Sequence, residues 1–328
     1  MDEGFCDALL IAQSIPDPGP IAMPSIPTIS VVLPAFNRVA SIRAAVESVL
    51  RQSYTDFELL IVDDGSTDGT MGALSDVLDP RIRLLSNPRN MGAGAARNTG
   101  IRHARGTWIA FQDSDDEWLP AKLDRQIAAL ASQGADCVAG YCGMAVVGEG
   151  SRGKQEAGQV SRTQLQYIPD PGIRAVDGHI LQSLLEYSLV STQTLIARRD
   201  CLERINGFDE GLPALEDWDC AIRLAKLGPF SFVDAPLVHQ YFSPNSITRH
   251  RDRRLAARQR IVAKNLDLLR QRPGLLAMHY QKIAGDQRRL GDIRAARASL
   301  AEARKLLPFS PKLWALSACL QLMRAAPG

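Results

Sequence analysis

The sequence contains no run approaching the roughly 18 consecutive apolar residues of a membrane-spanning helix, so an ordinary transmembrane span is not expected. Its six cysteines, Cys6, Cys137, Cys142, Cys201, Cys220 and Cys319, lie far apart. They show neither the paired spacing of a zinc site nor the density of a disulfide scaffold, and a reducing cytoplasm is the expected location. An excess of one charge is also missing: Lys+Arg 38 against Asp+Glu 36 leaves a formal net charge of +2, which argues against a nucleic-acid partner. The first residues lack the basic start of a signal peptide, carrying Asp2 and Glu3 instead, and Pro16, Pro18, Pro20, Pro24 and Pro27 rule out a long helix. Residues 1–27 therefore read as a mobile leader.

What is present is an ordinary globular composition, 45% hydrophobic and 23% charged over 328 residues, enough for one large domain with an appendage. Short apolar runs at residues 29–33, 57–62, 82–85 and 108–111 alternate with segments of helical spacing at 42–50 and 95–104. Such alternation predicts an α/β fold with a parallel sheet covered on both faces, and ligands then bind beyond the carboxyl ends of the strands. Each run ends in polar punctuation: residues 34–37, 63–68, 87–90 and 113–116. Turn chemistry explains any one of these loops, but four converging loops with carboxylates point to a site.

The densest of them is Asp113-Ser114-Asp115-Asp116, directly after the fourth run. One such residue would cap the helix expected from about Ala121, whereas adjacent carboxylates repel unless a cation or strong hydrogen bonds quiet them. Hard oxygen ligands at a strand end suit a divalent cation, which in turn suits a diphosphate.

Taken together, Ile29-Ser-Val-Val-Leu-Pro-Ala-Phe-Asn37, Ile61-Val-Asp-Asp-Gly-Ser-Thr-Asp68, the stretch 87–100, Phe111-Gln-Asp-Ser-Asp-Asp116 and Gly207-Phe-Asp-Glu210 with Glu216-Asp-Trp-Asp219 resemble the family 2 glycosyltransferases over roughly residues 28–246. The resemblance implies the nucleotide-diphospho-sugar transferase (A-type glycosyltransferase) fold: a mostly parallel central sheet flanked by helices, here with a C-terminal helical extension. It divides the chain into a transferase domain at 28–247, with a nucleotide-binding half at 28–142 and an acceptor half at 143–247, and a helical extension at 248–328. It implies inverting transfer of a sugar from a nucleoside diphosphate, UDP favoured, to a hydroxyl of a glycan or lipid-linked acceptor, with Mn²⁺ or Mg²⁺ as cofactor.

The same resemblance assigns roles. Pro34, Ala35 and Asn37 line the nucleotide, Asp64 accepts a hydrogen from the base, and Ser66 or Thr67 caps a following helix. Arg97 and Asn98 lie near the sugar and diphosphate, where Arg97 pairs with phosphate or, alternatively, forms a surface ion pair. Asp113 faces the donor, Asp115 is the metal ligand and Asp116 is a supporting or capping acid. Asp217 is the general base, with Asp219 as the competing assignment. His239 is a further candidate near the metal or diphosphate.

The segment 147–176, rich in glycine, serine and charge, is read as a loop or lid. Arginines at 249, 251, 253, 254, 258 and 260 suggest either peripheral contact with the inner face of the cell membrane or a solvated helix face. From about Ala277 the pattern of helix, turn, helix resembles a tetratricopeptide-type hairpin and hints at a protein partner, or else a plain helical cap. Two rivals remain: a non-catalytic scaffold of the same fold, and a dinucleotide-dependent oxidoreductase suggested by Gly92-Ala93-Gly94 with Asp113 about 20 residues on.

Overall fold

A computed structural model describes residues 26–147, 164–173, 175–241 and 250–323. Most of the leader, much of the 147–176 segment and Arg249 lie outside them. The chain begins with strand β1 (Ile29–Ala35), helix α1 (Ile42–Leu50), β2 (Phe57–Asp63), β3 (Ile82–Ser86), α2 (Ala93–His103) and β4 (Trp108–Phe111). It continues with β5 (Glu117–Trp118), α3 (Lys122–Gln133), β6 (Ala139–Val147), β7 (Gln164–Ile168), α4 (Leu181–Glu186), β8 (Ile196–Arg198), α5 (Arg199–Arg204), α6 (Glu216–Ala225) and β9 (Phe230–Tyr241). Five helices follow: α7 (Arg251–Lys264), α8 (Leu266–Arg270), α9 (Pro273–Arg289), α10 (Ile293–Leu306) and α11 (Pro311–Leu322).

All strands belong to one sheet in the order β3-β2-β1-β4-β8-β6-β9-β5, with β7 on β6. The expectation of a mostly parallel sheet holds for its first half. β1 through β4 pair in parallel, and β6 with β9, but β8 runs antiparallel to β4 and β6, β7 to β6, and β5 to β9. The first half is built from crossovers, through α1, the 3-10 turn at Gly72–Leu74 and α2, which give parallel pairing.

Alternation along β1 divides the core. Val31 and Leu33 face Ile42, Val46 and Val49 of α1 and Leu123 of α3, while Val32 faces Ala96 and Ile101 of α2. Both faces are thus sealed, which leaves the carboxyl edge of β1, β2 and β4 as the open rim.

One buried charge interrupts an otherwise apolar strand. Glu58 of β2 is 2% exposed, accepts from Ser30 Oγ at 2.7 Å and Arg83 Nη1 at 2.7 Å, and is reached by Arg105 from the turn after α2. Burial alone would raise its carboxyl, but these donors outweigh it and hold Glu58 below the usual carboxylate range. The same turn contains Gly106, where a Cβ would sit 2.5 Å from the Ser30 backbone nitrogen. Because backbone cannot yield as a side-chain tip does, Gly106→Ala should destabilise the fold by about 1–3 kcal/mol in chemical denaturation. An unchanged midpoint would contradict this close approach.

No helix capping follows β2: the segment runs into a single 3-10 turn at Gly72–Leu74. Ser66 instead accepts from the Asn37 amide at 3.0 Å, and the Ser66 amide donates to Asp63 Oδ1 at 3.0 Å. The expected helix cap at Ser66 or Thr67 is therefore a loop-to-loop tie.

The tail forms the predicted helix-turn-helix, with Ala277 and Ala284 of α9 packed on Ala296, Leu300 and Ala303 of α10, and Leu313 and Leu320 of α11 behind them. Several arginines of the basic segment are engaged by protein: Arg251 pairs with Asp286 at 3.6 Å, Arg258 stacks on Trp218 at 5.1 Å, and Arg260 donates to the Gly211 carbonyl. Among the described residues no helix is long and apolar enough to cross a membrane.

Candidate active site

The open rim collects the acidic loops. Asn37, in the left-handed conformation at φ 51°, follows β1, and its side chain accepts from the Thr67 amide at 2.9 Å. Pro34 and Ala35 are buried in β1 itself, and the Ala35 carbonyl accepts from the Asp64 amide at 2.8 Å. This short contact fuses the first two loops into one wall.

Asp64 is 3% exposed, and its carboxylate is met by four donor contacts inside the protein. Asn87 Nδ2 lies at 2.7 Å and the Met91 amide at 3.1 Å from Oδ1, while the Met91 and Gly92 amides lie at 3.0 and 2.8 Å from Oδ2. Asp64 thus serves as the acceptor at the amino end of α2, where helix geometry leaves amides unsatisfied. It fastens the 87–92 loop to β2 rather than presenting an open acceptor. The arrangement also undermines the oxidoreductase reading: the Gly92 amide that a pyrophosphate would need is taken by Asp64, and the preceding strand, β3, is at the edge of the sheet.

Helix α2 reaches the other half of the molecule through two consecutive side chains. Asn98 is buried; its Nδ2 donates to the Phe208 carbonyl at 2.9 Å and Glu210 Oε1 at 2.8 Å, and its Oδ1 accepts from the Phe208 amide at 2.8 Å. Gly207, at φ 63°, is needed there, because a Cβ would lie 2.3 Å from Asn98 Oδ1. Asn98 is thereby committed to protein contacts.

Arg97 is 5% exposed and donates to Asp113 Oδ1 at 2.7 Å and Glu216 Oε1 at 2.9 Å. Burial would lower its guanidinium, but the two carboxylates outweigh burial and hold it above its ordinary range. Neither the phosphate contact nor the surface pair expected for Arg97 describes this arrangement. It is a buried clamp between the loop after β4 and the first residue of α6.

The acid cluster has three distinct environments. Asp113 is held by Arg97. Asp116 is 4% exposed, accepting from Gln193 Nε2 at 3.0 Å and the Tyr241 amide at 3.1 Å, so it braces β9 and the 192–194 turn. Asp115 stays partly exposed, with Arg38 Nη2 3.8 Å from its Oδ2. The short strand β5, which pairs with β9, fixes where this loop ends. On β9, His239 Nδ1 lies 4.0 Å from Glu117 Oε2.

Among the described residues no group of three or more His, Cys, Asp and Glu side chains converges. The residues nevertheless fit a magnesium or manganese ion of the substrate-assisted kind, in which one or two protein carboxylates are completed by phosphate and water oxygens. Asp115 offers that carboxylate, being hard, partly exposed and at the rim.

Helix α6 opens at Leu215, in the left-handed conformation at φ 58° that a branched side chain rarely adopts. This turn sets Glu216 and Asp217 at the amino end. The Trp218 amide donates to Asp217 Oδ1 at 2.8 Å, and burial, followed by the Glu216 charge, pushes the Asp217 carboxyl up to about 7. The rival Asp219 is 1% exposed and tied to Arg223 at 2.7 Å and Lys264 at 2.5 Å. Its carboxylate is fully engaged by these two cations.

No local pattern marks Arg38, Gln193 or Tyr241 as site residues, and Glu216 stands out only as the neighbour of Asp217. Only the Glu216-Asp217 doublet carried a visible signal.

A curled mixed sheet with an acidic loop at the end of its fourth strand, faced by a carboxylate doublet on a following helix, defines the A-type glycosyltransferase fold. Residues 30–181 match the family described as Glycosyl transferase family 2. The chain is 43% identical over 102 residues to the UDP-Glc:alpha-D-GlcNAc-diphosphoundecaprenol beta-1,3-glucosyltransferase WfgD of Escherichia coli, covering 31% of this chain and 40% of that protein. It spans between 33% and 49% of the length of the first curated relatives it matches. Among solved structures, TarS 1-349 of S. aureus in complex with UDP superposes with a TM-score of 0.60 at 19% identity, over 90% of this chain and 86% of that one. The mannosyltransferase PcManGT of Pyrobaculum calidifontis, in complex with GDP-Man and Mn2+, gives 0.57 at 21% identity, over 91% and 81%. At these identities the two structures speak to the fold.

Proposed function

We propose that this chain transfers a sugar from a nucleoside diphosphate sugar, UDP favoured, to a hydroxyl of a glycan or lipid-linked acceptor, with inversion at the anomeric carbon. The observation that carries the reading is the Asp217 carboxylate: it stands at the amino end of α6 next to Glu216, whose partner Arg97 also holds Asp113 of the donor-side loop. An acceptor hydroxyl attacks the anomeric carbon from the face opposite the diphosphate, and the bond to the terminal phosphate oxygen breaks. Asp217 takes the hydroxyl proton, and the nucleoside diphosphate departs with the bonding electrons.

Asp217 suits the role because its carboxyl titrates near neutrality, where a base is both deprotonated and able to hold a proton. Pro34, Ala35 and Asn37 bound the nucleotide from the wall after β1. Asp64 contributes by fastening the 87–92 loop opposite them. Asp115, with His239 beyond it, would hold Mn²⁺ or Mg²⁺, which supplies charge neutralisation for the departing diphosphate. The UDP-named relative and the UDP-bound fold neighbour support the donor choice, and the lipid-diphosphate in that relative's name supports the acceptor class. The Mn2+ in the mannosyltransferase complex supports the metal.

A thermal-shift panel of uridine, guanosine and thymidine diphosphate sugars, each with and without Mn²⁺, tests the reading. A UDP-sugar with Mn²⁺ should raise the melting temperature most, and Asp115→Ala should abolish the part that depends on the metal. Ligand at about 100 times its Kd stabilises by about 2.7 kcal/mol, well within reach of the measurement. A panel in which no donor stabilises the protein with metal would defeat the proposal.

A further inference from the structure

One guanidinium serves three carboxylates at the junction of the two halves. Arg97 of α2 bonds Asp113 at 2.7 Å and Glu216 at 2.9 Å, and Asp217 stands next to Glu216 with a neutral donor, the Trp218 amide. With all groups ionised, one positive charge faces three negative ones. Asp113 and Glu216 are each bonded to the cation, whereas Asp217 accepts from the neutral Trp218 amide, so the charge that Arg97 leaves unbalanced falls on Asp217.

The other charges around α6 are occupied elsewhere. Asp219, Arg223 and Lys264 pair among themselves farther along the helix, and Cys220 is buried one turn on. α7 and α9 set Arg258 and His279 against the Trp218 ring, at 5.1 and 6.0 Å, and Glu186 of α4 acts on His279 and Lys282. Arg97, Asp113 and Glu216 thus make up the immediate charge environment of Asp217.

We propose that Glu216 is a positioning residue: bonded to Arg97 and adjacent to Asp217, it sets a second carboxylate beside the base and so fixes the lower pH limit of transfer. The inference rests on Asp217 being the base. When the acceptor proton reaches Asp217, the net charge of the four groups falls from two negative to one, and the repulsion from Glu216 is relieved. Proton uptake is favoured by an interaction that costs the resting enzyme stability. Leu215, at φ 58°, immediately precedes Glu216, the first residue of α6.

The test is the pH profile of kcat/KM for sugar transfer by the full chain. Glu216→Gln keeps the shape and the acceptor atom for Arg97 but removes the charge, and it should move the acidic limb to lower pH by about one unit, with a lower plateau rate from the weaker base. Glu216→Asp keeps the charge and should leave the limb in place. If the Gln protein does not fold, Glu216→Ala should move the limb in the same direction. A merely structural role predicts lower rates at every pH with the limb unmoved, and that result would overturn the inference. Full activity in Asp217→Asn would instead sink the assignment of the base, so the two failures are distinguishable.

Discussion

Asp217→Asn should lower kcat by about 10²–10⁴-fold while leaving the thermal stabilisation by donor and metal close to that of the parent. The amide preserves the acceptor for the Trp218 amide and the packing at the start of α6, but it cannot take a proton from the acceptor hydroxyl. The same substitution should change stability in the opposite sense from most core changes. The Asp217 carboxyl is raised by burial to about 7, so between the ordinary carboxylate range and neutrality the folded chain binds a proton that the unfolded chain has released. Stability from this group is therefore present at acidic pH and lost as the pH rises through 7. Asp217→Asn should raise the melting temperature above neutrality and change it little in mild acid. A variant that keeps its rate, or that melts lower in alkali, would contradict the placement of this charge.

Arg97→Met should destabilise the fold by about 3 kcal/mol or more, because removing one member of a buried ion cluster leaves the others uncompensated. The two carboxylates it abandons, Asp113 and Glu216, retain 25% and 19% side-chain exposure, which places the loss toward the lower end of the usual range for buried pairs. Arg97→Lys should recover only part of the loss, since an ammonium is a point charge and cannot match the fork that spans both partners. Denaturant midpoints of the three proteins at neutral pH decide the matter; equal midpoints would show that the clamp contributes nothing.

The first half of the fold was legible because its strands are continuous apolar runs and its helices carry their own period. β4 spans Trp108–Phe111, the same residues as the fourth apolar run, and α2 lies where small residues cluster before the basic Arg102 and His103. The second half was less legible. β5 is two residues long, and β9 is half polar and bulged against β6, so neither shows a period. Glu58 lay inside a run that read as apolar; it is buried because Ser30, Arg83 and Arg105 reach it from three other segments. No local pattern announces a partner that arrives from elsewhere in the chain.

The candidate site divides along the same line. The sequence by itself determined which chemistry is available: carboxylates at strand ends, an Asp-Ser-Asp-Asp run, and an acidic doublet before a helix, all in an order that names a family. The tertiary structure alone decided how each carboxylate is held. Asp116 is a brace because Gln193 and Tyr241, 77 and 125 residues away, close on it, and Asp219 is tied down because Lys264 arrives from α7. Arg97 joins partners 16 and 119 residues distant, and the charge that reaches Asp217 follows from that junction. A carboxylate's role depends on its desolvation and on the sign of its neighbours, and both are properties of the folded chain rather than of the residue.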